Sequence, residues 1–328
     1  MLKKFYGIIW EDRLKIGIIG TGAVGGYYGA LLASNGFDVH FLMNTDFEHV
    51  AKHGLWVESK NGDINLTTVN AYNNAKDMPS CDLVIVALKT THNYLLKDML
   101  PALVKPDGVV VVLQNGLGVE ADVSEILPAA TVVGGLCFLC SNKVGPGHIR
   151  HLDYGSVRIG EHSGDDRPAG ITEKLKCVAD IFGRASIPVH MTDNLPLARW
   201  EKLVWNMPFN GLSVILDADT RQLIDFPPSF NLLRDIMAEV INGACHCGME
   251  IDSQFADLML TATKQMVAYN PSMKLDFDAG RPLEINKIYK RPIHAAQAAG
   301  FEMRLSRAIT AQLGFMDMRN CGRSGRSL

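Results

Sequence analysis

The chain has 328 residues, of which 47% are hydrophobic and 20% are charged, and its formal net charge at pH 7 is −3. These values are typical of a globular protein of about two domains and exclude a largely disordered chain. The negative charge argues against nucleic acid or an anionic membrane surface as a partner, because both favour a basic protein surface. The long apolar runs, such as residues 131–140, are well short of the ~18 residues that a membrane-spanning helix needs.

Residues 1–13 are interpreted as an N-terminal extension that does not fit a secretory signal, because Glu11 and Asp12 follow only a broken apolar run. Seven scattered cysteines favour thiols in a reducing cytoplasm over a disulfide framework. Cys245 and Cys247 lie in a helical pattern, where residues two apart point in nearly opposite directions and cannot close on one metal ion. No metal site is predicted.

The first informative element is an apolar strand that runs into a glycine-rich turn at residues 15–26, with the sequence KIGIIGTGAVGG. The three glycines have the G-x-G-x-x-G spacing of a dinucleotide-binding turn, and a helix over residues 23–35 and a second strand over 38–43 follow. The amides at the start of that helix would face the phosphates of the cofactor. The predicted cofactor-binding residues of the turn are Gly20, Gly22, Ala23, Val24 and Gly25.

Two further strands are apolar on both faces, as central parallel strands are. The strand over 81–88 ends at Lys89, and the strand over 108–113 ends at Gln114 and Asn115. Ligands of such sheets bind at the carboxyl ends of the strands, so Lys89 and Asn115 are added to the predicted cofactor-binding residues. The predicted fold class is α/β, with a Rossmann-type doubly wound parallel sheet over residues 14–194.

The pattern changes at about residue 195, where strand-like runs give way to helical periodicity. We predict helices over 197–206, 228–248, 253–270 and 283–300, the last interrupted by Pro292, in an all-helical substrate and catalytic domain over 195–318. Residues 319–328 are rich in Gly, Ser and Arg and are predicted to form a flexible tail.

Polar residues stand out in two apolar stretches of the helical part. Lys202, Asn206 and Asn210 are four residues apart and would form one polar stripe if the helix continued, although Pro208 is expected to kink or end it before Asn210. The alternative is a solvated helix face.

The second polar stretch covers residues 270–284 and contains Ser272 and Glu284. Pro282 suits the first position of a helix, which would place Glu284 in the first turn, where the helix dipole favours a carboxylate. The alternative is that Glu284 only caps this helix.

Together, the glycine turn and these polar residues resemble the ketopantoate reductases (2-dehydropantoate 2-reductases) over residues 15–314. The resemblance implies an NADPH-dependent reduction of a 2-keto acid in a cleft between a Rossmann domain and a helical domain. It implies Lys202 as general acid and Glu284 as the residue that binds the substrate hydroxyl. It also implies that substrate and nicotinamide are held by Asn115, Asn206, Asn210 and Ser272. An amine donor beside the carbonyl oxygen agrees with this chemistry, because the developing alkoxide must be stabilised and protonated.

The chain departs from the family pattern at two positions. Asn286 stands where relatives commonly have an acidic residue, and Asn44 stands after the second strand where relatives often carry an arginine for the 2′-phosphate of NADPH. We therefore expect hydrogen bonds from Asn44 or Thr45, together with Lys89 from the neighbouring strand, to bind that phosphate, and we expect the preference for NADPH over NADH to be modest.

Two other functions remain open from the sequence. One is a related 2- or 3-hydroxyacid dehydrogenase with another substrate, and the other is an NADP(H)-binding sensor without turnover. A homodimer through the apolar C-terminal helices is a further possibility.

Overall fold

A computed structural model of the protein describes residues 14–165 and 167–323. The predicted extension over residues 1–13 lies outside this range. The described chain divides into two compact units, the first formed by residues 14–114 and 119–195 and the second by residues 115–118 and the residues from 196 onward. The predicted single boundary at residue 194 differs from this division, because residues 115–118 belong to the second unit.

The first unit is built on one ten-stranded sheet. Its strands are β1 (Lys15–Ile19), β2 (Asp38–Leu42), β3 (Leu55–Ser59), β4 (Ile64–Leu66), β5 (Asn70–Tyr72), β6 (Cys81–Val86), β7 (Val104–Val112), β8 (Thr131–Gly145), β9 (His148–Glu161) and β10 (Val189–Met191). The order is β4-β3-β9-β8-β7-β6-β1-β2-β5, and β10 pairs with β9.

The helices of this unit are α1 (Ala23–Ser34), α2 (Phe47–His53), α3 (Leu96–Leu103), α4 (Val119–Ile126) and α5 (Glu173–Arg184), with 3₁₀ turns at Ala75–Asp77 and Thr90–Leu95. Six neighbouring strands pair in parallel, in the order β5-β2-β1-β6-β7-β8. Strands β1, β6 and β7 are apolar on both faces because helices cover them. The predicted Rossmann-type sheet is confirmed.

The sheet also contains a long antiparallel hairpin formed by β8 and β9. From its apolar residues alone, the sequence of this region predicts only two short strands, over 131–139 and 155–159. The outer part of the hairpin was missed because residues such as Ser141, Asn142 and Lys143 are polar, and a run of polar residues is typical of a loop.

The second unit is helical, as predicted. Its helices are α6 (Leu195–Ile215), α7 (Thr220–Asp225), α8 (Pro227–His246), α9 (Phe255–Gln265), α10 (Ser272–Asp278), α11 (Arg291–Ala298) and α12 (Arg304–Arg323), and a π-helical turn covers Asn286–Lys290. Its core is a single apolar cluster in which α6 and α8 contribute Val204, Phe209, Ile236 and Val240.

Residues 319–323 of the predicted flexible tail belong to α12, and the rest of that predicted tail lies outside the described residues. Tertiary contacts hold them: the side-chain amide of Asn320 donates to the carbonyl oxygen of Phe277 at 2.7 Å, and Cys321 is fully buried. In the described residues, no helix combines the length and apolar character needed to cross a membrane.

Candidate active site

The glycine turn between β1 and α1 has the backbone that its spacing predicts. Gly20 has a φ of +94°, and a Cβ atom there would lie 2.7 Å from the amide nitrogen of Leu88. A Cβ atom at Gly25 would lie 2.2 Å from the carbonyl oxygen of Gly20. Both positions therefore require glycine for reasons internal to the protein, namely a left-handed turn and the close packing of α1 on the sheet.

Gly22 differs from Gly20 and Gly25, because a Cβ atom there would meet none of the described residues within 4 Å, its two chain neighbours apart. Gly22 is the N-cap of α1 and has no side chain with which to cap the first amides of this helix, which begins with Ala23 and Val24. Open space in front of uncapped amides is what a pyrophosphate requires. The turn thus fits a dinucleotide.

In Rossmann-type folds, residues at the end of the second strand bind the adenosine ribose of the cofactor, and here that strand is β2. Asn44 and Thr45 are exposed here, and the next residue, Asp46, is buried. One carboxylate oxygen of Asp46 accepts hydrogen bonds from the Lys143 ammonium at 2.5 Å and the Thr45 hydroxyl at 3.1 Å. The other accepts from the Gly147 amide at 3.1 Å. Sequence reasoning missed Lys143, which lies about a hundred residues further along the chain.

Gln114 follows β7, and its side chain hydrogen-bonds to the segment that follows β6. Its side-chain amide donates to the carbonyl oxygen of Leu88 at 2.9 Å and to the side-chain oxygen of Asn93 at 2.7 Å. Lys89 follows directly after Leu88, is partly buried, and begins the 3₁₀ turn at Thr90–Leu95. Gln114 therefore fixes the backbone that carries Lys89, a role that the sequence did not assign.

Asn115 belongs to the second unit, because the residues that follow it contact Lys287. The Leu117 amide donates to the carbonyl oxygen of Lys287 at 2.9 Å, and the Lys287 ammonium donates to the carbonyl oxygen of Gly118 at 3.1 Å. A Cβ atom at Gly116 would lie 2.5 Å from the Lys287 backbone, and Gly116 has a φ of +101°. Asn115 is thus anchored beside the π-helical turn.

Lys202, Asn206 and Asn210 do form one stripe, because α6 continues without a break to Ile215. Asn206 and Asn210 are buried and Lys202 is partly buried, so the stripe is not a solvated face. The expectation that Pro208 ends or kinks the helix before Asn210 was wrong where it concerned the end of the helix.

A side chain from the π-helical turn contacts the backbone of α6 next to Pro208. The Tyr289 hydroxyl donates to the carbonyl oxygen of Met207 at 2.6 Å and accepts from the amide of Gly211. It thereby bridges these two backbone groups, in the turn that contains Pro208. Burial raises the pKa of Tyr289 far above its usual value, so the hydroxyl keeps its proton.

The two asparagines of the stripe have different surroundings. The side-chain oxygen of Asn210 accepts from the Met273 amide at 3.1 Å, which brings Asn210 next to the start of α10 and its first residue, Ser272. The side-chain nitrogen of Asn206 is buried and has no hydrogen-bond partner among the described residues. An unsatisfied buried donor is costly, so a ligand acceptor at this position would relieve that cost.

Glu284 is buried with 4% of its surface exposed, but its local structure differs from the prediction. Pro282 and Glu284 are not helical, and the helix begins at Ile285 and continues as the π-helical turn. Glu284 therefore precedes the first turn, and its carbonyl oxygen accepts from the Ile288 amide at 3.2 Å. π-helical turns are frequent at functional sites.

The described residues contain no cluster of three or more His, Cys, Asp or Glu side chains that could hold a metal ion. What the two units supply is a dinucleotide cradle in one and a set of buried amides, an amine and a carboxylate in the other. These features define a dinucleotide-dependent oxidoreductase with a Rossmann-type unit and a helical unit.

Comparison with known proteins gives the particular family. The family model described as ketopantoate reductase PanE/ApbA matches residues 16–164, and the model of its C-terminal part matches residues 194–317. The chain belongs to the ketopantoate reductase family.

Individual relatives agree. A 2-dehydropantoate 2-reductase of a Nostoc species is 49% identical over 309 residues, which cover 94% of this chain and 97% of the relative. The crystal structure of 2-dehydropantoate 2-reductase from Geobacter metallireducens superposes with a TM-score of 0.88 at 39% identity, over 92% of this chain and 99% of that one. A D-mandelate dehydrogenase solved with NADH and anilino(oxo)acetate shares the fold, with a TM-score of 0.83 at 21% identity over 94% and 99% of the two chains.

Proposed function

We propose that this protein reduces 2-dehydropantoate to pantoate with NADPH. The structural observation that carries the proposal is the buried side-chain nitrogen of Asn206, which has no hydrogen-bond partner in the described part of the chain and shares one face of α6 with Lys202. A helix face with an amine and an unsatisfied amide donor suits a substrate that carries oxygen acceptors. The high identity to the Nostoc 2-dehydropantoate 2-reductase supports this particular keto acid.

NADPH, when bound, supplies the hydride that reduces the keto carbon. Lys202 donates a proton to the carbonyl oxygen as negative charge develops on it. Asn206 donates a hydrogen bond from its side-chain nitrogen, and Asn115, Asn210 and Ser272 contribute further polar contacts to substrate and nicotinamide. Glu284 accepts the hydrogen bond of the substrate hydroxyl.

On the cofactor side, the uncapped amides of Ala23 and Val24 and the open space at Gly22 hold the pyrophosphate. The cradle residues Gly20 and Gly25 shape the turn. Lys89 adds a positive charge at the carboxyl end of β6. Because no carboxylate stands at position 43 or 44, a 2′-phosphate meets no repulsion from those two side chains.

A second candidate is the dehydrogenation of another 2-hydroxy acid with NADH. The observation that favours it is Asn44, which leaves the ribose site without a cation directly after β2. The two functions differ in both substrate and cofactor, so one set of measurements separates them.

The experiment is a panel of branched 2-keto acids with NADPH and with NADH, followed by the absorbance of the reduced nicotinamide. We expect the highest kcat/KM for 2-dehydropantoate with NADPH. A higher kcat/KM for another keto acid with NADH supports the second candidate, and cofactor binding without turnover of any keto acid supports a sensor.

We also propose that the protein is a cytoplasmic homodimer. All seven cysteines are thiols in the structure, which suits a reducing compartment. An apolar groove of about 240 Å³ between α6, α8 and α12 is lined by Leu212, Leu216, Leu232 and Leu305, among others. A second copy would cover it, and light scattering of the purified protein tests the dimer.

A further inference from the structure

The hairpin of β8 and β9 lies along the part of the first unit that would hold the cofactor. At β8, the Ser141 hydroxyl lies 3.5 Å from the carbonyl oxygen of Ala23, the first residue of α1. On β9, the Ile149 side chain packs so closely on α1 that a Cβ atom at Gly26 would lie 2.0 Å from it. The hairpin thus passes beside the start of the helix that follows the glycine turn.

Two residues further along β8, Lys143 reaches the loop after β2. Ser141 and Lys143 are two apart on one strand, a spacing that places side chains on the same face. The Lys143 ammonium lies 2.5 Å from the Asp46 carboxylate, and Asp46 follows Asn44 and Thr45 directly. One face of the hairpin therefore connects the start of α1 with the end of β2, the two places where a dinucleotide has its pyrophosphate and its adenosine ribose.

The position of Lys143 is fixed by a buried anchor. The Asp46 side chain is 8% exposed and also accepts from the Gly147 amide, in the turn of the same hairpin, at 3.1 Å. The Lys143 side chain remains 35% exposed. An ammonium has three donors, so a contact with Asp46 leaves capacity for a second anion.

We infer that Lys143 binds the 2′-phosphate of NADPH and supplies from the hairpin the cation that is missing after β2. The inference rests on the proposed use of NADPH. Asn44 and Thr45, both exposed, would donate from their side chains to the same phosphate, whose charge of about −1.5 to −2 near neutral pH gains most from a nearby cation. NADH carries a hydroxyl at this position and gains little from Lys143.

The alternative is that Lys143 only ties the hairpin to Asp46. A tie of this kind acts on both cofactors equally, because the fold of the site is the same for NADH and NADPH. Phosphate binding by Lys143 and a purely structural ion pair therefore predict different effects of a Lys143 variant on the ratio of the Kd for NADH to the Kd for NADPH.

The test is a fluorescence titration of the full chain with NADPH and with NADH, for the wild type, Lys143→Gln and Lys143→Arg. We expect Lys143→Gln to raise the Kd for NADPH about tenfold and to leave the Kd for NADH within about twofold, since one charge-assisted contact is lost. Lys143→Arg keeps the charge and should keep most of the preference.

The matched control is Lys105→Gln. Lys105 forms a similar ion pair with Asp82 at 2.8 Å in the same unit, but near the amino end of β6, away from the carboxyl ends where the cofactor binds. Lys105→Gln removes the same charge as Lys143→Gln and should change neither the Kd for NADPH nor the Kd for NADH. The wild-type preference should also weaken as salt rises, and this dependence should be smaller in Lys143→Gln.

The outcomes separate the inference from the proposed function. If the wild type prefers NADPH and Lys143→Gln keeps that preference, or loses affinity for both cofactors equally, Lys143 does not bind the phosphate. If the wild type shows no preference for NADPH, the proposed cofactor is wrong and the inference falls with it.

Discussion

Lys202 is the residue on which the proposed chemistry most depends. Replacing it with alanine removes the proton donor but no residue of the glycine turn. We expect Lys202→Ala to lower kcat by about 10²–10⁴-fold, the usual contribution of a general acid, and to leave the Kd for NADPH nearly unchanged. Stopped-flow turnover and fluorescence titration measure the two quantities. Near-normal turnover with the best keto acid would exclude Lys202 from the mechanism.

Glu284 has a structural alternative, because a buried acid before a helix can serve as a cap. Glu284→Gln keeps the size of the side chain and removes its charge. We expect a higher KM for the keto acid and a lower kcat, with the melting temperature within a few degrees of the wild type. Thermal melts and steady-state kinetics on the same preparation decide between the roles. A lower melting temperature with unchanged activity per folded molecule would show that Glu284 is only a cap.

Tyr289 connects two elements of the helical unit, since it lies in the π-helical turn and its hydroxyl bridges Met207 and Gly211 in α6. Tyr289→Phe leaves two buried backbone groups unpaired, which costs about 1–3 kcal/mol of stability. Because Asn206 and Asn210 lie on either side of this bridge, we expect a higher KM for the keto acid with an unchanged Kd for NADPH.

Tyr28→Phe is the matched control for this prediction. Tyr28 is also fully buried, and its hydroxyl donates to the carbonyl oxygen of Ser156 at 3.3 Å in the other unit. It should change stability without raising the KM for the keto acid. Equal effects of the two variants on that KM would mean that the Tyr289 bridge only stabilises the protein.

The same elements show how far sequence reasoning reaches. The central strands and α1 are predictable because their apolar pattern and glycine spacing are local properties. The path of α6 through Pro208 is not, because the hydroxyl that bridges Met207 and Gly211 in this turn comes from Tyr289, about eighty residues later. The hairpin of β8 and β9 was missed for a related reason, since polar residues such as Lys143 gain their partners only in the folded sheet.

At the scale of the whole molecule, the residue types of the candidate site could be predicted while their surroundings could not. The stripe from Lys202 to Asn210 follows from a spacing of four residues. The unpartnered nitrogen of Asn206 and the membership of Asn115 in the helical unit depend on long-range contacts that no local pattern contains. Family membership fixes the fold and the class of reaction, and the structure adds which groups have capacity for a ligand.

The stability of a Gly22 variant, measured with and without NADPH, tests whether the glycine turn binds the cofactor. Apart from its two chain neighbours, no residue in the described part of the chain lies within 4 Å of a Cβ atom at Gly22, and its backbone, with φ −87° and ψ −158°, suits alanine. Gly22→Ala should therefore cost at most about 1 kcal/mol of stability, as for an unfavourable N-cap residue. The added methyl group would occupy the space in which the pyrophosphate approaches the backbone.

We expect NADPH at about 100 times its Kd to stabilise the wild type by about 2.7 kcal/mol and to leave Gly22→Ala almost unaffected at the same concentration. Gly25→Ala is the contrasting variant, because its Cβ atom would lie 2.2 Å from the carbonyl oxygen of Gly20 and should destabilise the protein even without cofactor. Calorimetric melts of the three proteins, with and without NADPH, measure both effects. An undiminished NADPH shift in Gly22→Ala would mean that the open space in front of α1 is not where the pyrophosphate binds.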